Sequence, residues 1–279
     1  MNLICYLSNG YPTIESSKEM ALRYVDAGCD IIEIDFPARD PYLESEYIAG
    51  RMAAALEACS DYTAYMEGMA EMKKRLPDTR FILMTYESTV TEIGYERFIA
   101  FCKAQGFEDI ILVGQQGDAV KNRFIADGMR VSCYVQFQML PDEVESAKQS
   151  NGFVYMQGDA VKNRFIADGM RVSCYVQFQM LPDEVESAKQ SNGFVYMQGK
   201  PGAGQTNPAF PTLKDCIDHL RGQDIIRPIY CGVGIHTPAD AKMAREAGAD
   251  GVFVGSAVLR LHDDPAAMAK MIQDFKREC

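Results

Sequence analysis

Two carboxylates on one face of a short strand are the residues here best placed to do chemistry. In the segment DIIEIDFPARDPYLESE, residues 30–46, Glu33 and Asp35 alternate with Ile32, Ile34 and Phe36. A strand turns successive side chains to opposite faces, so the acids share one face and the apolar residues take the other. Neighbouring carboxyls cannot ionise independently, and one of them should hold its proton toward neutral pH. A carboxyl poised in that way suits general acid or base work. The alternative is a solvated acidic rim, which would not need isoleucines on both sides of Glu33. Asp40 and Glu44 follow in the next loop, where acidic residues are common on a chain of net charge −11.

A second group of residues could hold a phosphate. CGVGIHTPADA (231–241) and VFVGSAV (252–258) each run from an apolar strand into a glycine turn. Gly232, Gly234, Gly255 and Ser256 leave backbone amides unobstructed, and a helix starting there would add its dipole. The loop KPGAGQTN (200–207) has the make-up of a mobile lid. Glycines also serve turns that need positive φ, which is the plainer reading of any one of them. The three histidines, His219, His236 and His262, lie far apart in sequence, and the nine cysteines lack CxxC spacing. No metal site is expected, and the cysteines read as small core hydrophobes.

Residues of these kinds need elements to position them. Apolar, β-branched runs alternate with amphipathic helical stretches along the whole chain. Strands are predicted at 3–7, 30–36, 80–86, 109–114, 130–137, 152–157, 171–178, 193–198, 228–235 and 250–259. Such alternation with short loops predicts an α/β protein with a parallel sheet. One further fact complicates the count: residues 117–157 recur without a single change as residues 158–198. Natural solenoid repeats drift apart, so this duplication is either very recent or introduced. Removing one 41-residue copy leaves 238 residues and eight predicted strands, the make-up of a TIM-type (βα)8 barrel. Each copy reads as helix, strand, helix, strand, a quarter of such a barrel. We therefore expect a single domain over residues 1–279. Either it keeps eight strands with one copy extruded or swapped between two chains, or it is enlarged to ten. Extrusion is favoured, because ten strands would enclose an interior that needs more side-chain volume. A swapped copy would give a homodimer.

Hydrophobic residues make up 47% of the chain, enough for a large core. The acidic balance argues against a nucleic-acid partner. No apolar run is long enough to span a membrane and the first residues lack a signal-type segment, so a cytoplasmic enzyme is expected.

In order along the chain, CYLSNGYP, GCDIIEIDFPARDP, LMTY, GFVYMQ, CGVGIHTPADA and GADGVFVGSAV resemble the tryptophan synthase alpha chain family. The resemblance implies a lyase of tryptophan biosynthesis on a TIM barrel. It would cleave indole-3-glycerol phosphate to indole and glyceraldehyde 3-phosphate without a cofactor. By position, Glu33 takes the place of the proton-shuttling acid at the glyceryl carbon, and Glu44 that of the loop acid at the indole nitrogen. Gly234, Gly255 and Ser256, with Gly232 beside them, fall at phosphate-binding positions. Leu83 and Tyr196 fall at positions lining the indole pocket, with Asp35 beside Glu33 in place of a family glycine. Other departures are Glu44 for aspartate, Gln115 at an expected aspartate, and Gly202-Ala203-Gly204-Gln205 in place of the lid motif. A carboxylate moved by about 1 Å can lose on the order of 100-fold in rate, so the resemblance implies weak or lost activity. Alternatives are a phosphate-binding barrel acting on another small phosphorylated substrate, and a scaffold that has lost catalysis. The family's partner is a pyridoxal-phosphate-dependent β chain. Its contact loops are altered here, so weak or no association is expected, and a tight complex on gel filtration would overturn this.

Overall fold

The structure, a computed structural model, describes residues 1–41, 44–113, 119–135, 153–156, 171–190, 194–201 and 206–279. Within these, the chain forms two compact units, one of Met1–Ile4, Ser132–Ala257 and Gln273–Cys279, the other of Cys5–Val131 and Val258–Ile272.

The second of these carries the acids. Its strands are the later part of β1 (Asn2–Leu7), then β2 (Ile31–Asp35), β3 (Arg80–Tyr86) and β4 (Asp109–Val113). Helices α1 (Ile14–Asp26), α2 (Glu46–Ala58), α3 (Tyr62–Arg75), α4 (Glu87–Ile93), α5 (Tyr95–Gln105) and α6 (Ala119–Ala126) intervene. β2 pairs with β3 and β3 with β4, all parallel, through Glu33↔Ile82, Asp35↔Met84, Met84↔Ile111 and Tyr86↔Val113. The apolar face of β2 behaves as its alternation predicts. Ile32, Ile34 and Phe36 are fully buried, and the Phe36 ring meets Phe98 and Phe101 of α5 edge-on at 5.2 and 6.2 Å. Edge-to-face contacts of this kind add to simple burial and leave Glu33 and Asp35 on the opposite face. Side-chain caps set the helix starts that matter here: Thr13 accepts from Ser16 N ahead of α1, and Ser45 from Ile48 N ahead of α2.

The other unit contains the duplication from Ser132 onward, residues 117–131 of the first copy belonging to the acid-bearing unit. Its strands β5 (Arg130–Val135), β6 (Phe153–Met156), β7 (Arg171–Val176), β8 (Val195–Met197), β9 (Ile229–Cys231) and β10 (Gly251–Val254) are consecutive neighbours, all parallel. With them go α7 (Pro182–Gln190), α8 (Leu213–Gly222), α9 (Pro238–Ala247), α10 (Ser256–Leu259, at the unit's limit) and the end of α11 (Pro265–Glu278). Of the alternatives left open by the sequence, extrusion of one copy is not what this ladder contains. Both strands of each copy are paired within it.

The registers give the reason. In the first copy Tyr134 pairs with Tyr155, and in the second Tyr175 pairs with Tyr196, the same pairing displaced by one copy length. At the junction, Val154↔Val172 and Met156↔Cys174 repeat what Val195↔Ile229 and Met197↔Cys231 do downstream. The segment RVSCYV of β7 thus offers β6 the same valine/isoleucine-x-cysteine series that PIYCGV offers β8. Stacking a new strand there leaves it paired on both sides, with β6 and with β8. Deleting residues 117–157 should therefore remove β5, β6 and one junction, and keep the pairings from β7 to β10. The shortened chain is expected to give an unchanged circular dichroism shape per residue and a single cooperative melt. A broad, non-cooperative melt would contradict this.

The last strand is much shorter than its apolar run. The sequence predicts β-structure to residue 259, but β10 stops at Val254 and α10 starts at Ser256. Gly255, unobstructed by neighbours, makes the turn between them. Cys5, Cys29, Cys102, Cys216 and Cys231 carry buried thiols, which pack as small hydrophobes.

Candidate active site

The acid face of β2 is closed in by tyrosines from the strands on either side. Tyr6 Oη donates to Asp35 Oδ2 at 2.5 Å, and the backbone N–H of Asn9, just past β1, donates to Asp35 Oδ1 at 2.6 Å. From the end of β3, Tyr86 Oη donates to Glu44 Oε1 at 2.9 Å. Glu33 lies in register with Ile82, and among the described residues its carboxyl takes no hydrogen bond. Tyr6, Met84, Tyr86, Ile111 and Val113 pack together as an apolar wall on this side of the sheet. Asp35 is completely buried, whereas Glu33 keeps a partly accessible edge although protein surrounds it.

Electrostatics follow from that geometry. Burial pushes the Glu33 carboxyl up to about 7, and the charges of Glu44 and Asp35 push the same way. Burial also raises Asp35 to about 7, outweighing the Tyr6 and Asn9 hydrogen bonds that favour its charge. Glu44 is raised by burial against the opposing Tyr86 bond. Three carboxyls thus face one side, and Glu33 is the one free to give or take a proton. Behind them, Arg51 of α2 is 5% exposed, donates from Nε to Ser8 Oγ at 3.1 Å and stacks on the Tyr11 ring at 3.8 Å. Asp40 is exposed in the loop, and Tyr42 and Leu43 lie outside the described residues.

Leu83 requires a correction. Its register partners are Ile34 and Ile110, so it belongs to the face opposite Glu33 and Asp35 and is fully buried there. Alternation places Ile82 and Met84 beside the acids in its stead. Conversely, sequence reasoning missed Tyr6, Asn9, Tyr86 and Arg51. The signal for Tyr6 and Tyr86 was their strand position, since each ends a run whose alternation can be counted.

In the other unit, Tyr196, Tyr230 and Phe253 form an aromatic cluster with centroids 5.5 and 6.0 Å apart, on the face shared by Gly232. A Cβ on Gly232 would fall 1.7 Å from the Tyr196 hydroxyl, so only glycine lets that ring cross the strand end. Gly234 has φ +89°, and a Cβ there would meet Lys200 at 2.8 Å. Ser256 is exposed at the start of α10, with Gly255 open before it. Lys200 pairs with Asp240, which also accepts from His236 N and Thr237 N at 2.9 and 2.8 Å. Burial opposes the charge on Asp240, yet these partners hold its carboxyl below the usual range. The structure thus brings the predicted phosphate glycines and Tyr196 together at the ends of β8, β9 and β10. Gln115 and residues 202–205 lie outside the described residues, as does the Tyr155 side chain. Among the described residues no group of three or more His, Cys, Asp or Glu could hold a metal ion, and no helix is long and apolar enough to cross a membrane.

Comparison with known proteins gives a consistent picture. The family profile described as Tryptophan synthase alpha chain matches residues 1–160 and 183–279. The tryptophan synthase alpha chain of Staphylococcus carnosus is 22% identical over 258 residues, 90% of this chain and 86% of that protein. The alpha chain of Zymomonas mobilis is 35% identical over a shorter stretch of 111 residues, 40% of each protein. Among solved structures, tryptophan synthase from Mycobacterium tuberculosis superposes with a TM-score of 0.64 at 20% identity, covering 99% of this chain and 92% of that one. The alpha chain from Legionella pneumophila gives 0.60 at 22%, covering 99% and 90%. At such identities the likeness shows the fold alone, which is of the TIM-barrel type.

Proposed function

This chain belongs to the tryptophan synthase alpha chain family, and from that premise we propose that it cleaves indole-3-glycerol phosphate to indole and glyceraldehyde 3-phosphate, slowly. The observation that carries the reading is Glu33, a carboxyl raised to about 7 by burial beside two other acids. In the retro-aldol step the bond between the indole ring carbon and the glyceryl carbon breaks. Glu33 gives its proton to the ring carbon and takes one from the hydroxyl that becomes the aldehyde, so the step is proton-neutral. Glu44, oriented by Tyr86, accepts from the indole N–H. Gly234, Gly255 and Ser256 bind the substrate phosphate through backbone amides and the serine hydroxyl, with Gly232, whose own N–H donates to Met197 O, and Tyr196 beside them. Slow turnover follows from Glu44, whose carboxylate is one methylene longer than the family's aspartate.

A second reading, another phosphorylated substrate, is favoured by one observation. Asp35 and Tyr6 put a polar pair on the wall beside Glu33. The experiment is turnover of indole-3-glycerol phosphate by the whole chain, run beside a thermal melt in inorganic phosphate. Saturating phosphate at about 100 times its Kd should add about 2.7 kcal/mol. Phosphate stabilisation without turnover would leave the second reading, and neither effect would leave a scaffold. The β chain is the partner that fits the family, with association weakened by the altered loops.

A further inference from the structure

Glu33 and Asp35 stand two residues apart on one strand face, roughly 6.5–7 Å along it, and they are treated very differently by their neighbours. Asp35 receives two hydrogen bonds, from Tyr6 Oη at 2.5 Å and Asn9 N at 2.6 Å. Glu33 receives none among the described residues. The turn that presents the Asn9 N–H is itself fixed. Gly10 N donates to Ser17 Oγ at 2.7 Å, Ser17 Oγ donates to Ser8 O at 3.3 Å, and Arg51 Nε donates to Ser8 Oγ at 3.1 Å. Arg51 is buried with its Nη2 lacking a hydrogen-bond partner among the described residues, and its positive charge favours the ionised form of Asp35. A buried guanidinium calls for a negative charge nearby. The other titratable groups around the pair are Glu44 from the loop after β2, Tyr86 from β3 and Tyr65 from α3. Glu44 opposes ionisation of both acids, so it does not choose between them.

We propose that Asp35 is a positioning residue for the reaction: pinned as the carboxylate by Tyr6, Asn9 and Arg51, it leaves the pair's proton on Glu33, so that the acid is loaded at neutral pH. Two close carboxyls share protons as a pair, and hydrogen bonds to the charged form decide which member carries the charge. Burial raises both acids alike, and what distinguishes them is geometry: both oxygens of Asp35 accept hydrogen bonds, and among the described residues neither oxygen of Glu33 does. This inference rests on the proposed cleavage for its use of the proton, but the placement of the proton can be measured without turnover.

The test is a carbon-13 NMR titration of the side-chain carboxyls in the full chain, with Glu33→Gln identifying the Glu33 signal. Burial raises both acids to about 7. In the unsubstituted protein the Glu33 midpoint is expected to lie above that of Asp35, because among the described residues only Asp35 has donors on its two oxygens. Asp35→Asn removes the charge and keeps one acceptor oxygen, for Asn9 N–H, while the Tyr6 hydroxyl can turn to accept from the new amide N–H. The Glu33 midpoint should then fall by about one unit or more, as expected for loss of a neighbouring like charge. The alkaline limb of kcat should move to lower pH by the same amount, with KM little changed. Tyr6→Phe offers a second route if the first variant does not fold. Here Asp35 should titrate higher and Glu33 lower, because a donor has been lost. A Glu33 midpoint unmoved in either folded variant would overturn the proposal, as would a Glu33 that ionises before Asp35. Midpoints that move as expected in a chain that never cleaves indole-3-glycerol phosphate would uphold the proton placement and sink the substrate reading alone.

Discussion

Replacing Glu33 by glutamine is expected to lower turnover of indole-3-glycerol phosphate by about 100- to 10,000-fold, the usual range for loss of a general acid. The amide keeps the shape of the side chain but cannot give a proton to the ring carbon. The same substitution should make the protein more stable at alkaline pH. Glu33 has an ordinary value of 4.5 and is raised to about 7 in the folded chain. The folded state therefore holds a proton that the unfolded state has released between those values. Stability linked to this group is complete below about 4.5, is lost as pH rises toward 7, and stays lost above it. The full shift is equivalent to about 3 kcal/mol, less in practice because an edge of Glu33 reaches water. Glu33→Gln should consequently melt higher than the parent at pH 8 and no higher at pH 4. Activity within threefold of the parent would remove Glu33 from the mechanism, and equal melts at pH 8 would remove the buried-acid account.

Gly10→Ala should be the most damaging single methyl group in the acid-bearing unit. Gly10 has φ +79°, and a Cβ there would fall 2.3 Å from Tyr65 Cε1. The Tyr65 ring cannot retreat easily. It is fully buried, with its hydroxyl 2.8 Å from Ala55 O and 2.9 Å from Cys59 O. Left-handed backbone costs an alanine about 1–2 kcal/mol, and forced overpacking another 1–3 kcal/mol. The expected loss is roughly 3 kcal/mol, or about 6–12 °C in Tm for a chain of this size class. Because Asn9 is the preceding residue, the shift should also disturb its hydrogen bond to Asp35. A melt within 2 °C of the parent would show that the turn yields without loss.

Much of the architecture was legible because buried parallel strands are short apolar runs and helices are amphipathic. All ten predicted strands are present; β3 keeps its predicted span, β1 gains Asn2, and the others lie within theirs among the described residues. The acid face was legible too, since alternation in β2 needs no partner to be counted. What surrounds the acids was not. Tyr6 and Asn9 lie 29 and 26 residues from Asp35 and Tyr86 lies 42 from Glu44, and contacts so distant are decided by strand order and register. Leu83 shows the penalty for a register assigned by resemblance instead of counted from the strand. The pairing of the duplicated segment was not legible from the volume a wider barrel would enclose. The relevant clue was local: Val172 and Cys174 take the places beside β6 that Ile229 and Cys231 take beside β8.

That equivalence makes the 41-residue unit a tile. Its trailing strand asks of the next strand what that same unit's leading strand already supplies. A third copy would meet only the junction the second has met, with no contact left to invent. Two identical stretches in one gene also invite unequal exchange, which adds or removes the unit whole. Length in this fold can therefore change in discrete steps, each step arriving already paired.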